Sequence, residues 1–218
     1  HVAYVGRKGR KAHAVVDGRE GPAYDWIGGL EFSPDGNHVA HRAMRWPMSV
    51  MVVDGEEGPE YDMVETEQHT SGSAFSPQGN RVAYWAMRKD NYLVVTDGKE
   101  SPEYDRIMNL EFSSDGEHFA YQAKKGESQF IVFDGVPGPK YDSVTYDEFA
   151  PNGKRWFYTA CNGLKSLLVV DGQPGPEHGM VLRPSFSPDG TRLAYWAVDD
   201  RRAHLIVDGE AVSASARL

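Results

Sequence analysis

Short apolar runs recur along the chain at regular intervals, and an Asp-Gly pair ends each of them. The first run, 14–16, precedes Asp17-Gly18. Later pairs begin at Asp54, Asp97, Asp134, Asp171 and Asp208. Successive pairs are 37, 43, 37, 37 and 37 residues apart. A fixed period of this length from end to end is typical of repeat proteins, whose units share one continuous core. We therefore predict a single domain over residues 1–218.

Within one repeat the polar and apolar positions predict four short strands. In the unit 110–144, Leu110–Ser113 and His118–Ala123 alternate between apolar and polar residues, as half-buried strands do. The run Phe130–Phe133 is apolar throughout, which is expected when both faces of a strand are covered. A proline-containing turn ends this third strand, because proline cannot donate to a ladder. The fourth strand begins at Tyr141.

These strands are too close together for a helix to connect them. Four strands in 37 residues leave no room for a crossover, so neighbouring strands must be antiparallel. Sheets with two apolar faces need another sheet on each side, and packing successive sheets around an axis meets that need. We predict an all-β β-propeller of six blades with four antiparallel strands each. The tail 212–218 either completes the sixth blade or pairs with the first blade to close the ring. Which pairing forms decides whether the terminal blades are complete or incomplete.

The repeat resembles that of a known family. Phe-Ser-Pro-Asp-Gly at 186–190 is followed by a basic residue and Leu-Ala-Tyr at 193–195, and most other repeats carry a close variant. This unit resembles the repeats of TolB-type propellers, which are relatives of the WD-repeat family. The resemblance implies a propeller fold and favours a bacterial protein that is periplasmic or secreted. It implies no particular activity, because propellers host many functions.

Composition and charge limit the classes of partner that the protein is expected to bind. The net charge of −9 argues against a surface that attracts nucleic acid as a whole, so we predict no nucleic-acid partner. No apolar run is long enough to span a bilayer, so no membrane span is predicted. The single cysteine, Cys161, excludes an internal disulfide and a cysteine-based metal cage.

Charged loops are predicted to segregate onto two faces. Antiparallel order places the loops between second and third strands on one face, together with the blade-to-blade connections. These loops are rich in Lys and Arg, whereas the Asp-Gly turns and the beginnings of the fourth strands are rich in Asp and Glu. We therefore expect a basic face opposite an acidic one. Charged loop tips that serve only solubility are the alternative explanation.

One irregularity in the period marks a candidate binding site on the basic face. From Tyr61 to Phe75 the spacing is fourteen residues, where other junctions have eight, and the extra residues fall within 65–72. Insertions into repeats often map to loops on the binding face, although surface loops also vary in length without function. Trp46 places a large aromatic at a neighbouring loop tip. The candidate binding residues are Trp46, Met48, Glu65, Glu67, His69, Arg88, Lys89, Lys124, Arg201 and Arg202.

The chain contains no recognisable catalytic constellation. His1, His38 and His118 occupy a repeat position that is Arg elsewhere, which indicates a surface role, and His41 replaces a repeated tyrosine. Carboxylates precede the repeat phenylalanine in the strand expected nearest the axis, at Glu31, Glu111 and Glu148. Such a group could bind a cation or hold raised pKa values, and a solvated channel lining is the alternative. We predict no catalytic residue, metal site or cofactor.

Three hypotheses for function follow. The first is a non-enzymatic scaffold that binds a protein or polysaccharide partner on the basic face. The second is a structural module that assembles into homo-oligomers or filaments through unpaired terminal strands, because exposed strand edges recruit strands from other chains. The third is a glycan hydrolase or lyase that uses Glu31, Glu111 and Glu148.

Overall fold

The structure is a computed structural model that describes residues 1–65, 74–200 and 202–217, without the side chains of 146, 147 and 213–217. It divides into two compact units, His1–Glu111 and Phe112–Leu218, and each is described by itself. The single domain expected over 1–218 remains a prediction.

The described part of the first unit contains antiparallel sheets built from consecutive strands. The first sheet, in order β1-β2-β3, comprises β1 (Ala3–Lys8), β2 (Lys11–Val16) and β3 (Arg19–Glu20). The second, in order β4-β5-β6-β7, comprises β4 (Trp26–Phe32), β5 (Val39–Arg45), β6 (Met48–Val53) and β7 (Glu56–Tyr61). The third, in order β11-β10-β9-β8, comprises β8 (Met63–Glu65), β9 (Ala83–Arg88), β10 (Asn91–Thr96) and β11 (Lys99–Glu100).

The remaining strands repeat this pattern. The unit boundary falls within β12 (Arg106–Phe112), whose sheet also comprises β13 (Phe119–Lys125), β14 (Ser128–Phe133) and β15 (Val136–Pro137). Next come β16 (Ser143–Phe149), β17 (Trp156–Asn162), β18 (Lys165–Val170) and β19 (Gln173–His178). The last sheet comprises β20 (Met180–Phe186), β21 (Leu193–Asp199), β22 (Arg202–Val207) and β23 (Glu210–Arg217). The tail therefore forms the edge strand β23 beside β22.

The predicted four-stranded antiparallel unit is confirmed in every described sheet except the first, which has three strands. The third strand of the second sheet is covered on both faces, as its apolar run predicted: Val50, Met51 and Val52 of β6 are at most 2% exposed. Neighbouring sheets pack face to face, so that Tyr24 is buried against Val50 and Val52 of the next sheet. The arrangement of six blades into a ring remains a prediction.

The Asp-Gly pairs form the hairpin turns that end the third strands. Their Asp residues have φ between 47° and 52° and their Gly residues between 76° and 85°. Two consecutive positive φ angles are what a two-residue type I′ turn requires, and Asp-Gly tolerates them well. The Asp carboxylate also has a second role: Asp54 accepts the N–H of Val39 at 2.9 Å and contacts His38 Nδ1 at 2.7 Å.

The same contact explains why His and Arg exchange at one repeat position. Arg81 donates through Nε to Asp97 at 3.0 Å, in the place where His38 contacts Asp54. His1 and His118 contact their own turn aspartates in the same manner. Each half-exposed His or Arg therefore fastens the start of a second strand to the following Asp-Gly turn.

Of the predicted insert 65–72, all residues but Glu65 lie outside the described residues, and the residues on either side of this gap match positions of a first strand. In the second sheet, Gly28 pairs with Arg42 and Glu31 pairs with Ala40, with two bulged residues between them. In the third sheet the equivalent positions are Glu65, which pairs with Trp85, and Ala74, which accepts from the N–H of Ala83. Glu65 and Ala74 therefore hold the positions that flank the two bulged residues of the second sheet. The Tyr-to-Phe count spans both the junction and this strand, so it could not locate the extra residues.

Candidate functional site

Trp46 lies at the tip of the β5–β6 hairpin, and its side chain is 69% exposed. The Trp46-Pro47 peptide bond is cis. The N–H of Trp46 donates to Asp25 Oδ2 at 3.1 Å, and Asp25 also accepts from Lys11 Nζ at 2.7 Å. These hydrogen bonds, that from Lys11 first, lower the pKa of Asp25. The hairpin tip is therefore held against the segment that precedes β4, while the indole itself stays in solvent.

A second tryptophan, which the sequence analysis did not single out, lies beside the same aspartate. Trp26 begins β4 directly after Asp25, is 36% exposed and pairs with Met44. Met48, the first residue of β6, is half-buried in the same sheet. The signal was present in the sequence, because the residue after Tyr-Asp is Met, Arg or Ser in the other Tyr-Asp junctions and an aromatic only at Trp26.

Trp26 is part of a stacked cluster on the first strands. Its indole lies over Gly28, where any Cβ would overlap the ring, so this position requires glycine. The Arg42 guanidinium lies 5.5 Å from the centre of the Trp26 ring and also forms an ion pair with Glu65. Cation–π contacts of this kind are favourable when partly desolvated, and the Arg42 side chain is only 13% exposed. The predicted site residue Glu65 is thus part of a mostly buried ion pair.

Both ends of the insert are fixed to the second sheet. Glu65, before the insert, is bound by Arg42, and the N–H of Ala74, after it, donates to Glu31 at 2.8 Å. Arg42 lies four residues before Trp46 on β5, which corresponds to about 13 Å along a strand. The contact of Arg42 with Glu65 therefore lies away from the Trp46 tip along β5, and the grouping of the insert with Trp46 into one site remains a prediction.

The expected separation of a basic and an acidic face is wrong in the first unit. Arg45 forms two hydrogen bonds with Glu57, and Arg88 contacts Glu100 at 2.8 Å and Glu103 at 3.4 Å. Lys8 likewise contacts Glu20. These long basic side chains start at the ends of second strands and reach carboxylates at the starts of fourth strands. Arg88 also reaches Glu103, in the Pro-Glu-Tyr segment. Arg88, a predicted binding residue, is therefore an ion-pair partner.

These ion pairs extend into contacts between neighbouring sheets. The Tyr24 hydroxyl donates to Glu57 Oε1 at 2.6 Å, and the Arg45 guanidinium lies 4.5 Å from the Tyr24 ring centre. The hydrogen bonds from Arg45 and then Tyr24 lower the pKa of Glu57 to about 2. Burial, followed by the Glu57 hydrogen bond, raises the pKa of Tyr24. We call this group the Tyr24 clamp. Tyr61, Glu100 and Arg88 repeat it.

The remaining candidate residues are dispersed. The Lys89 side chain is exposed, and its N–H donates to Asp62 at 2.5 Å. In the second unit, Lys124 is half-buried on β13 and Arg202 is exposed on β22. Glu67, His69 and Arg201 lie outside the described residues. Their grouping into one binding site remains a prediction.

The three carboxylates expected near the axis occupy matching places in their strands. Glu31, Glu111 and Glu148 precede the last residue of β4, β12 and β16, and all three are half-buried. Glu31 is engaged by the Ala74 N–H, and Glu111 and Glu148 also have partners. Over the described ranges, no group of three or more His, Cys, Asp or Glu residues is placed to hold a metal ion. No helix found there has the length and apolar character to cross a bilayer.

Comparisons with known proteins concern the fold. No family model and no curated protein matches this sequence. A crystal structure of TolB from Acinetobacter baumannii matches 96% of this chain at 16% identity, with a TM-score of 0.39. A crystal structure of a eukaryotic initiation factor matches 99% of the chain at 11% identity, with a TM-score of 0.52. The Dos1 propeller matches 90% at 9% identity, with a TM-score of 0.41.

TolB and the Dos1 propeller are therefore among the structures to which this chain is similar, in line with the resemblance of its repeat to those of TolB-type propellers. The chain spans 61% of the TolB chain and 62% of each of the other two. At such low identities the likeness extends to the fold and not to a ligand or an activity.

Proposed function

We propose that this protein is a non-enzymatic interaction scaffold that binds a protein or polysaccharide partner, with Trp46 as the anchor of the contact. The observation that carries the proposal is the 69% exposure of an indole at the tip of a hairpin whose backbone is held by Asp25. Aromatic side chains bury about 150–250 Å² on contact and dominate the energetics of interfaces. An exposed Trp on a fixed backbone offers that area with little ordering cost.

The surroundings of Trp46 support a binding surface. Trp26 provides a second, partly exposed aromatic beside Asp25, and its indole is held in place by Arg42. Arg45 at the base of the hairpin is paired with Glu57, so the tip is flanked by fixed charges that can form polar contacts around an apolar centre. An aromatic centre with a polar rim is the common anatomy of protein interfaces.

The second unit provides a matched control for this proposal. Leu164 lies at the tip of the β17–β18 hairpin, in the repeat position of Pro47, and is 95% exposed. Replacing Leu164 with Ala removes an exposed apolar side chain from the same kind of turn. A general loss of surface apolarity would therefore affect both variants equally.

The test is retention of partners by wild type, Trp46→Ala and Leu164→Ala, measured on a glycan array and by quantitative pull-down from cell extract. We expect Trp46→Ala to lose at least tenfold in retention, which corresponds to about 1.4 kcal/mol, while Leu164→Ala behaves as wild type. Thermal midpoints within about 1 °C of each other would exclude unfolding as the cause. Equal retention by Trp46→Ala and wild type refutes the proposal.

A second candidate function, assembly between copies, is favoured by the edge of the first sheet. Strand β1 is an edge strand, and it exposes Tyr4 (54%) and Val5 (40%), while Val2, directly before it, is 64% exposed. The repeat position of Tyr4 is held in the third sheet by Tyr84, which is only 5% exposed. An exposed apolar edge strand invites pairing with another chain.

Light scattering across a hundredfold range of concentration tests this candidate. Assembly predicts a mass that rises with concentration and a return to monomer in Val5→Lys, because an edge lysine discourages strand pairing. A monomer at every concentration contradicts assembly and leaves the Trp46 proposal intact.

A further inference from the structure

A pocket of about 570 Å³ lies within the first unit, between the sheet β1–β3 and the sheet β4–β7. Its walls are largely apolar and include Val16, Phe32, Val39 and Val52. This volume is far larger than the roughly 30 Å³ that one water occupies, and it falls within the range of about 300–1,000 Å³ typical of small-molecule sites. The pocket can therefore accept an organic group with an aromatic ring.

Within the described part of the chain, one buried polar side chain of this pocket lacks a hydrogen-bond partner. His41 lines the pocket and is 5% exposed, and among the described residues neither of its ring nitrogens has a hydrogen-bond partner. Its ring meets Tyr24 edge to face, with the ring centres 6.1 Å apart. Burial lowers the pKa of His41 to about 4, so the imidazole is neutral at neutral pH and carries one donor and one acceptor.

The neighbouring repeat shows which side chain occupies the position of His41 elsewhere in the chain. A corresponding pocket of about 540 Å³ is lined by Tyr84, which holds the repeat position of His41. Tyr84 packs in the same buried cluster as Tyr61, whose hydroxyl donates to Glu100 at 2.8 Å. Tyr158, at the same repeat position, packs edge to face against Tyr141 with the ring centres 6.2 Å apart, and its hydroxyl has no hydrogen-bond partner among the described residues. The first pocket is the one whose deep wall has an imidazole in place of the repeated phenol.

The histidine is shorter than the tyrosine that it replaces. The hydroxyl of Tyr24 donates to Glu57 at 2.6 Å, as that of Tyr61 donates to Glu100 beside Tyr84, and therefore does not satisfy the imidazole. The site therefore combines apolar walls and the Phe32 ring with an imidazole that has unmet hydrogen-bonding capacity. Rotation about the Cβ–Cγ bond of histidine has a broad energy profile, so a modest ring rotation can present a nitrogen to a bound group.

We propose that this pocket, which we call the His41 pocket, binds a phenol: an uncharged aromatic ring with one hydroxyl group that hydrogen-bonds His41. A hydroxyl matches a neutral imidazole because it can donate to the unprotonated nitrogen or accept from the protonated one. The aromatic ring packs between Phe32 and the valine side chains of the walls. The phenol is supplied either by a small molecule or by a tyrosine side chain of a partner protein.

The test uses p-cresol, N-acetyl-tyrosinamide and toluene as probes in an NMR titration of the ¹⁵N-labelled protein, with the His41 ring signals followed in parallel. We expect p-cresol to shift the His41 signals and to bind about tenfold more tightly than toluene, because toluene has the same shape but lacks the hydroxyl. Binding of N-acetyl-tyrosinamide as tight as that of p-cresol supports a tyrosine side chain as the source. Binding of p-cresol alone supports a free phenolic compound.

Variants of the same chain sharpen the test. His41→Tyr restores the repeat residue and should abolish p-cresol binding, whereas Trp46→Ala should leave it unchanged. Tyr84→His should create a second site of similar affinity in the neighbouring pocket. No shift with p-cresol at millimolar concentration, or equal binding of p-cresol and toluene, overturns the proposal. Both of these results are measured on the wild-type protein, so they do not depend on the folding of a variant. They are also independent of partner retention by the Trp46 hairpin.

Discussion

The Tyr24 clamp predicts a measurable loss of stability when a single oxygen is removed. Tyr24 is fully buried, and its hydroxyl donates to the Glu57 carboxylate at 2.6 Å. A hydrogen bond to a charged group contributes about 1.5–3 kcal/mol. Because Arg45 still binds Glu57 in Tyr24→Phe, we expect the lower end, about 1.5 kcal/mol. For a chain of this size that lowers the thermal midpoint by about 3–6 °C.

A double-mutant cycle with Tyr24→Phe and Glu57→Gln isolates the contact, and chemical denaturation provides the free energies. We expect a coupling energy of about 1 kcal/mol, since residues that share a hydrogen bond are not additive. Tyr195→Phe is the matched control: Tyr195 is 8% exposed, and no hydrogen-bond partner of its hydroxyl occurs among the described residues. Tyr195→Phe should lower the free energy of unfolding by less than about 0.5 kcal/mol. A coupling energy near zero would refute the assignment of the clamp.

The clamp also predicts a dependence of stability on acid. The pKa of Glu57 is lowered to about 2 in the folded state from an ordinary value near 4.5, chiefly by Arg45. The stability that it contributes is therefore fully present above about pH 4.5 and is lost as the pH falls toward about 2. In Glu57→Gln this part of the acid dependence should disappear, which denaturation midpoints between pH 2.5 and 6 would measure.

Two further predictions concern contacts elsewhere in the first unit. The Asp54 hydrogen bond raises the pKa of His38, so its contribution to stability is present below about pH 6.5 and is lost as the pH rises through the raised value. His38→Arg, which copies Arg81, should remove this loss of stability in thermal melts between pH 5 and 9. An unchanged dependence of the thermal midpoint on pH would contradict this prediction. Gly28→Ala should destabilise by about 1–3 kcal/mol, because the new Cβ overlaps the Trp26 indole. The Gly28→Ala/Trp26→Leu double variant should recover most of that loss in denaturant melts, and no recovery would show that the indole is not the obstacle.

The repeat itself could be predicted from the sequence because its signals are local. An Asp-Gly pair after an apolar run specifies a tight turn whatever surrounds it, and the turns at Asp54 and Asp97 have the required backbone angles. The apolar run of β6 predicted burial on both faces for the same reason. His41 was correctly placed at a buried tyrosine position.

The charge distribution and the insert could not be predicted in the same way because they depend on contacts between strands. Sequence order separates Arg45 from Glu57 by a hairpin and assigns them to opposite faces, yet a long guanidinium side chain spans that distance. The spacing between Tyr61 and Phe75 gives the number of extra residues but not the strand position at which they leave the ladder. The ion pair of Arg42 with Glu65 likewise joins two sheets and leaves no periodic signal.

The proposed function depends on Trp46, which we propose anchors a partner on a surface whose backbone is already held in place. The most direct measurement compares partner retention by wild type, Trp46→Ala and Leu164→Ala on the same glycan array and in the same pull-down. The account predicts a loss of at least tenfold for Trp46→Ala and no change for Leu164→Ala. Retention by Trp46→Ala equal to that of wild type, with an unchanged thermal midpoint, would contradict it.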